Sequence, residues 1–457
     1  MLIKNGSVVT ETEITKADVL ILDGKIEKVG ADLEDPEDDV IDVPGMYVMP
    51  GAIDAHTRFC AEENGLRSPD DFFTGTVAAA CGGVTCVINH MEFGPRGCGL
   101  RYQADEYRKL AEPAVIDYSF HGIIQRVNDD VLDEMEALTE EGITSFKFCM
   151  TTEYKIDDFG ILELMHNARG LGAMLCVHAE NDGIIKFLRM YARARGFLSP
   201  IYHARSRPPE CEAEAVDRLM FLSAVTGCPL LYITHLSTAQ ALAAINDARG
   251  SGLKNIFVET CPQYMLLDET FYRRSDGVKY IACPPLRKRN HCDAMWEGAE
   301  HGDIQVIASA HCAFNYEAGK RAGAEDFMMC PSGLPGVETR VPLIFSEGVM
   351  KRRITPQRFV ELCCANPAKL FGLYPAKGCI APGSDADLMI INPAKQFKIQ
   401  KSTLHENVDY TVYDGMELRG DIEYTISRGE VAVHCHNWIG SRGWGRFIKR
   451  GTPVSGR

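Results

Sequence analysis

The chain lacks an apolar run of about 18 residues, the length a helix needs to cross a bilayer, so no membrane span is expected. Its first residues, MLIKNGSVVTE, lack the apolar stretch and cleavage site of a secretion signal and read as a strand and a turn. Basic residues are in deficit, 48 Lys and Arg against 63 Asp and Glu. The resulting net charge of −15 argues against nucleic acid or an anionic membrane as a main partner. No Cys-x-x-Cys pair and no low-complexity segment is present. Cysteine itself is not scarce, at 17 residues. Several, such as Cys149, Cys176 and Cys261, sit in apolar strands, which suits reduced core thiols in a cytoplasmic protein better than a disulfide framework. His434-Cys435-His436 is a compact set of metal-capable residues, and its place at a strand end suits a solvent-facing position.

At 457 residues the chain is long enough for a barrel and a second domain. Residues 1–50 alternate short strands with turns, and Asn5-Gly6 and Asp23-Gly24 are hairpin signals. Residues 376–435 repeat that texture. Neither end can bury a core alone, so one small β-sandwich built from both termini is expected, with residues 51–375 inserted between its halves. In the insert, strand and helix signals alternate eight times. The strand segments are GAIDAHTRF, GVTCVINHM, VIDYSFHGII, GITSFKFCM, AMLCVHAEN, PLLYITHLS, NIFVETCPQY and IQVIASAHC. That pattern predicts an α/β protein with a (β/α)8 barrel. Residues 436–457, rich in Gly and Arg, read as a C-terminal arm that packs on a neighbouring subunit.

Chemistry in such a barrel gathers at the C-terminal ends of the strands. Here those ends carry His56, His90, His121, Lys147, His178, His235 and His311. One histidine on an apolar strand is ordinarily a core residue, but six at one rim point to a metal site. Lys147 lies inside the apolar strand SFKFCM, where an unpaired ammonium would cost several kcal/mol. It must be neutralised, paired in a salt bridge, or modified. Carbamylation by carbon dioxide would turn it into a carboxylate-like metal ligand.

The segments GAIDAHT, SFKFCM, CVHAEN, YITHLST, VETCPQY, PPLR, SAHCAFN, GLPGVE and ANPAKLFGLYPAKG occur in order along nearly the whole chain. They resemble the dihydropyrimidinase and hydantoinase family of the amidohydrolase superfamily, and most of all its bacterial phenylhydantoinases. DDFFTGTVAAACGG and FHGIIQ are similar to that subgroup too. The resemblance implies a cytoplasmic tetramer that opens a cyclic amide or ureide to an N-carbamoyl acid. It implies two zinc ions bridged by a carbamylated lysine, matched by Lys147. His178 and His235 match the second-site ligands, and His56 matches the first histidine of a His-x-His motif.

Several positions depart from the family pattern. Arg58 stands at the second histidine of His-x-His, Ala310 at the aspartate that ligates metal and shuttles the proton, and Thr152 at the tyrosine that helps hold the oxyanion. Tyr154 and the nearby His56, His121 and His311 are the remaining candidates for those roles. Cys283 and Ser332 replace a serine and an asparagine at substrate-binding positions whose backbone contacts can survive the change. Removing a divalent ion and an aspartate while adding an arginine leaves the local charge unchanged. Arg58 is therefore expected in the barrel mouth, bound to the Lys147 carbamate or to another anion there, and one divalent ion, zinc or similar, is expected on Lys147, His178 and His235. Two readings stay open: a hydrolase with a reduced centre, or a catalytically silent subunit that assembles with an active paralogue.

Overall fold

The computed structural model describes residues 1–34, 39–63 and 65–453. Eight parallel strands form its centre. They are β1 (Ala52–Thr57), β2 (Val84–His90), β3 (Asp117–Ile123), β4 (Ser145–Cys149), β5 (Met174–His178), β6 (Leu231–Ile233), β7 (Ile256–Thr260) and β8 (Val306–Ile307), hydrogen-bonded in sequence order. Every residue of β1 to β8 is buried. Strands covered on both faces must be apolar throughout, which explains their continuous apolar runs. The ring closes where Ser309 N donates to Asp54 Oδ1 at 3.1 Å and Arg58 N donates to the His311 carbonyl at 2.8 Å, beside a parallel bridge between Thr57 and His311. The result is the expected (β/α)8 barrel.

Local signals start the barrel helices. Asp71 and Thr74 form a reciprocal capping box ahead of helix 72–81, and Asn128, Asp157, Asn181 and Thr238 cap four later helices. Ile53, Ile88, Met174, Tyr232 and Phe257 fill one end of the barrel, plugged by Phe371. No helix among the described residues is long and apolar enough to cross a membrane.

Both termini build the sandwich. Strand 388–398 pairs antiparallel with 47–50 and 417–427, so the seven-stranded sheet joins the two ends of the chain. A four-stranded sheet from residues 2–42 lies against it, with Ile3, Val19, Ile26, Val48, Leu388 and Ile390 between the layers. Asp23-Gly24 is a true hairpin turn, with φ of 50° and 74°. Asn5 also takes a positive φ, 62°, but the turn it begins carries the chain from one sheet to the other, because strand 2–4 and strand 7–9 lie in different sheets.

The C-terminal segment, expected as an arm on a neighbouring subunit, makes these contacts within its own chain. Its backbone bonds run to its own barrel: Tyr118 N to Arg446 O at 2.9 Å, Ile448 N to Tyr118 O at 2.8 Å, Arg450 N to Gly142 O at 3.0 Å and Gly451 N to Gly372 O at 2.9 Å. Phe447 stacks on Phe120 at 5.5 Å. The segment covers backbone left open beside β3. Residues 454–457 of the expected arm lie outside the described residues.

Candidate active site

Strand ends bring Lys147, His56, His90, His178 and His235 together. Lys147 is buried on β4, and its nearest polar partner is His56 Nε2, 3.4 Å from Nζ. Burial pushes the Lys147 ammonium down, and the nearby Arg58 charge adds to this. Among the described residues no carboxylate is hydrogen-bonded to it, so the salt-bridge alternative gains no support. A neutral buried amine is the form that can take up carbon dioxide.

His178 Nδ1 and His235 Nε2 face each other at 3.0 Å, and His235 Nδ1 is buried without a hydrogen-bond partner. Carboxylates stand behind these rings. His178 Nε2 lies 3.2 Å from Glu180, which also pairs with Arg207. His56 Nδ1 lies 2.7 Å from Glu259 Oε1, the same oxygen that accepts the His235 N–H at 2.9 Å, while Tyr232 donates to Glu259 Oε2 at 2.9 Å. Such outer carboxylates orient imidazole ligands and raise their basicity. Burial holds His56, His90 and His235 well below the usual histidine range, with Lys147 adding to the effect, so they are neutral and able to donate lone pairs. Paired imidazoles beside a modifiable lysine form a donor set that fits one divalent ion.

The adjoining first site does not fit a second ion. Arg58 faces the mouth, but its guanidinium grips Glu92: Nη2 lies 2.7 and 2.9 Å from the two carboxylate oxygens and Nε lies 3.0 Å from one of them. The anion that neutralises Arg58 is thus Glu92 and not Lys147. Ala310, with a positive φ of 50°, offers only a methyl group.

The other predicted residues are placed as follows. His121 is a core histidine, with Nδ1 2.6 Å from Ser145 Oγ and Nε2 2.9 Å from the Ala55 carbonyl. His90 stacks on its ring at 4.4 Å and has both nitrogens buried and unpartnered. His311 is not brought to the cluster. Its Nε2 lies 3.2 Å from Asp70, its Nδ1 3.7 Å from Glu406, and its ring packs on Phe59. Burial opposes its charge, but the two carboxylates overcome this and raise it to about 10. Set between two acids, with the Gly336 and Val337 N–H groups directed at its Nδ1 at 3.3 and 3.4 Å, His311 is a structural tie and a poor proton shuttle.

Thr152 is exposed with φ of 84°, and its hydroxyl accepts from Tyr154 N at 3.3 Å. Tyr154 stacks on Phe93 at 4.4 Å, which holds the ring against the loop after β2. Cys283 and Ser332 are neighbours, the serine hydroxyl donating to the thiol sulfur at 3.1 Å, while Ser332 N–H is taken by Glu63 Oε1 at 3.1 Å. Sequence reasoning missed Glu92, Glu180 and Glu259. All three carry a visible signal, a carboxylate within or just after a buried apolar strand. Glu92, two residues past β2 as Glu180 is past β5, carries the same signal.

A (β/α)8 barrel with a lysine and facing histidines at one rim, closed by a two-terminus sandwich, defines the class of barrel amidohydrolases. Residues 47–431 match the model of the amidohydrolase family, and the chain belongs to it. It is 47% identical to a D-phenylhydantoinase of Escherichia coli O81 (strain ED1a), with 98% of each chain covered. Among solved structures, a dihydropyrimidinase from Brevibacillus agri NCHU1002 superposes with a TM-score of 0.96 at 41% identity, covering 99% of this chain and 98% of that one. An L-hydantoinase (dihydropyrimidinase) from Arthrobacter aurescens gives a TM-score of 0.90 at 30% identity, covering 98% and 99%.

Proposed function

We propose that this chain is a hydantoinase-like cyclic-amide hydrolase with a one-metal centre, opening a cyclic amide or ureide to an N-carbamoyl acid. The observation that carries the reading is the contrast between the two halves of the mouth. Lys147, His178 and His235 keep a donor set, while Arg58 is committed to Glu92 and Ala310 supplies no ligand. Lys147 as its carbamate, with the two histidines, would hold the ion, zinc by donor type. What the ion supplies when bound is Lewis acidity toward a water and a ring carbonyl.

The remaining chemistry falls to the chain. Glu259 fixes His56 through Nδ1 and leaves Nε2 turned toward Lys147, so His56 Nε2 is the atom best placed to take and return a proton. Arg58 and Glu92 narrow the mouth and set its charge. The backbone around Cys283 and Ser332 would position the ring, with Ser332 anchored by Glu63. Assembly into a homotetramer belongs to the same reading.

A second reading has its own support: with Thr152 in place of the tyrosine and Ala310 in place of the aspartate, an oxyanion donor and a proton donor of the family pattern are both missing, and His311 is tied elsewhere. On that reading the chain is a silent subunit that assembles with an active paralogue. Metal analysis together with turnover of phenylhydantoin and dihydrouracil tests the two. About one ion per chain at the barrel mouth, counted as the ions lost in Lys147→Met, is expected with slow ring opening. Two ions there would refute the one-metal centre, and one ion there without turnover favours the silent subunit.

A further inference from the structure

A second set of metal-type donors lies where the first barrel helix meets the segments that follow β8 and the sandwich. Cys81 ends helix 72–81, Glu338 lies in the chain after β8, and His405 lies between sandwich strands 388–398 and 417–427. One donor atom from each, a thiol sulfur, a carboxylate oxygen and a ring nitrogen, lies within 4.8 Å of the other two. Cys81 and Glu338 are buried, and His405 is partly exposed, which leaves a way in. His405 Nδ1 already lies 2.8 Å from Glu338 Oε1. Glu338 Oε2 accepts the His405 N–H at 2.6 Å, which fixes the carboxylate. Gly82 makes the approach possible: a Cβ there would sit 2.4 Å from the Glu338 carbonyl oxygen, so only glycine lets the helix end close onto that strand of chain.

We infer that Cys81, Glu338 and His405 form a structural metal site, separate from the barrel mouth, for one divalent ion of the zinc class with water as a fourth ligand. Sulfur, nitrogen and oxygen donors in one group suit a borderline ion better than calcium or magnesium, which take oxygen alone. The charges also close. A divalent ion with the Cys81 thiolate, the Glu338 carboxylate and neutral His405 sums to zero, so nothing buried is left uncompensated. The metal-free state, a neutral thiol beside the hydrogen-bonded Glu338 and His405, lacks the ion and keeps the protons that the ion displaces on binding. Burial and Glu338 push the thiol up, so loading releases its proton and binding weakens as pH falls. The ion would clasp the first barrel helix to the segments flanking the sandwich. The His434-Cys435-His436 motif is a weaker candidate. His434 and Cys435 converge on Glu423, but Lys395 Nζ already occupies that carboxylate at 2.8 Å.

Cobalt(II) titration of the metal-free, full-length chain tests the inference, because a thiolate ligand gives a near-ultraviolet charge-transfer band and the proposed barrel-mouth ligands include no thiol. The band should appear in the wild type and in His178→Ala, and should be lost in Cys81→Ser and His405→Ala. His405 is partly exposed, so its variant remains informative if Cys81→Ser folds poorly. Absence of the band from the wild type overturns the site, and so does a band that survives His405→Ala.

Discussion

At the scale of single residues, Arg58 is held by a carboxylate at the barrel mouth. Its side chain is 25% exposed and Glu92 is 14% exposed, so the pair is neither a surface ion pair nor a fully dry one. Burial raises the Glu92 carboxyl, and Arg58 opposes that shift. Arg58→Met and Glu92→Gln should each destabilise, and the double variant should recover part of the loss. We expect a coupling of about 0.5–3 kcal/mol in a denaturation cycle. Additive losses would mean that the contact contributes nothing. Lys147→Met should abolish metal retention at the mouth, read by elemental analysis, and should leave the fold intact because methionine fills a similar volume without the buried amine.

At the scale of elements, the segment after β8 is held by His311 between Asp70 and Glu406. The unfolded imidazole loses its proton near 6.5, whereas the folded one keeps it to about 10. Between those values the folded state binds one proton more than the unfolded state. This stabilisation is therefore complete below 6.5 and is lost as pH rises toward 10, by about 1.4 kcal/mol per pH unit. His311→Gln should be less stable than the wild type at neutral pH but should show a flatter loss of stability between pH 6.5 and 10. Equal slopes would show that His311 does not carry the extra proton. The C-terminal segment makes a separate prediction. Because Arg446, Ile448, Arg450 and Gly451 bond to their own barrel, truncation after Gly443 should lower Tm without changing the number of chains in the native assembly. A changed number of chains would restore the arm to a subunit contact.

At the scale of the whole molecule, the missing groups set the expected rate. Loss of acid–base assistance costs about 10²–10⁴-fold, and loss of an oxyanion donor about 10²–10³-fold. Ring opening by the wild type should be slower than that of intact relatives by factors of this order. Arg58→His with Ala310→Asp should raise metal content toward two per chain and raise turnover, and Thr152→Tyr should add to it. Glu92 would then lose its cation, so a smaller gain is expected unless Glu92 is neutralised too. Ordinary hydantoinase rates in the wild type would mean that His56 and its Glu259 partner already replace the lost groups. Native mass should show a complex of this chain alone. Stable association with an active paralogue would instead support the silent subunit.

The sequence by itself determined the barrel, the two-terminus sandwich and the strand that carries each rim residue. These follow from local, periodic signals: apolar runs of strand length, capping residues and turn dipeptides. It also marked Lys147, because a charge inside an apolar strand is anomalous without reference to any partner. What only the tertiary structure decided was pairing. Arg58 went to Glu92, 34 positions away, and His56 to Glu259, 203 positions away. His311 left the cluster for Asp70 and Glu406, and the C-terminal segment turned back to β3. A buried charge must find a counter-charge, but which one it finds depends on where the fold brings distant segments together, and no local pattern encodes that.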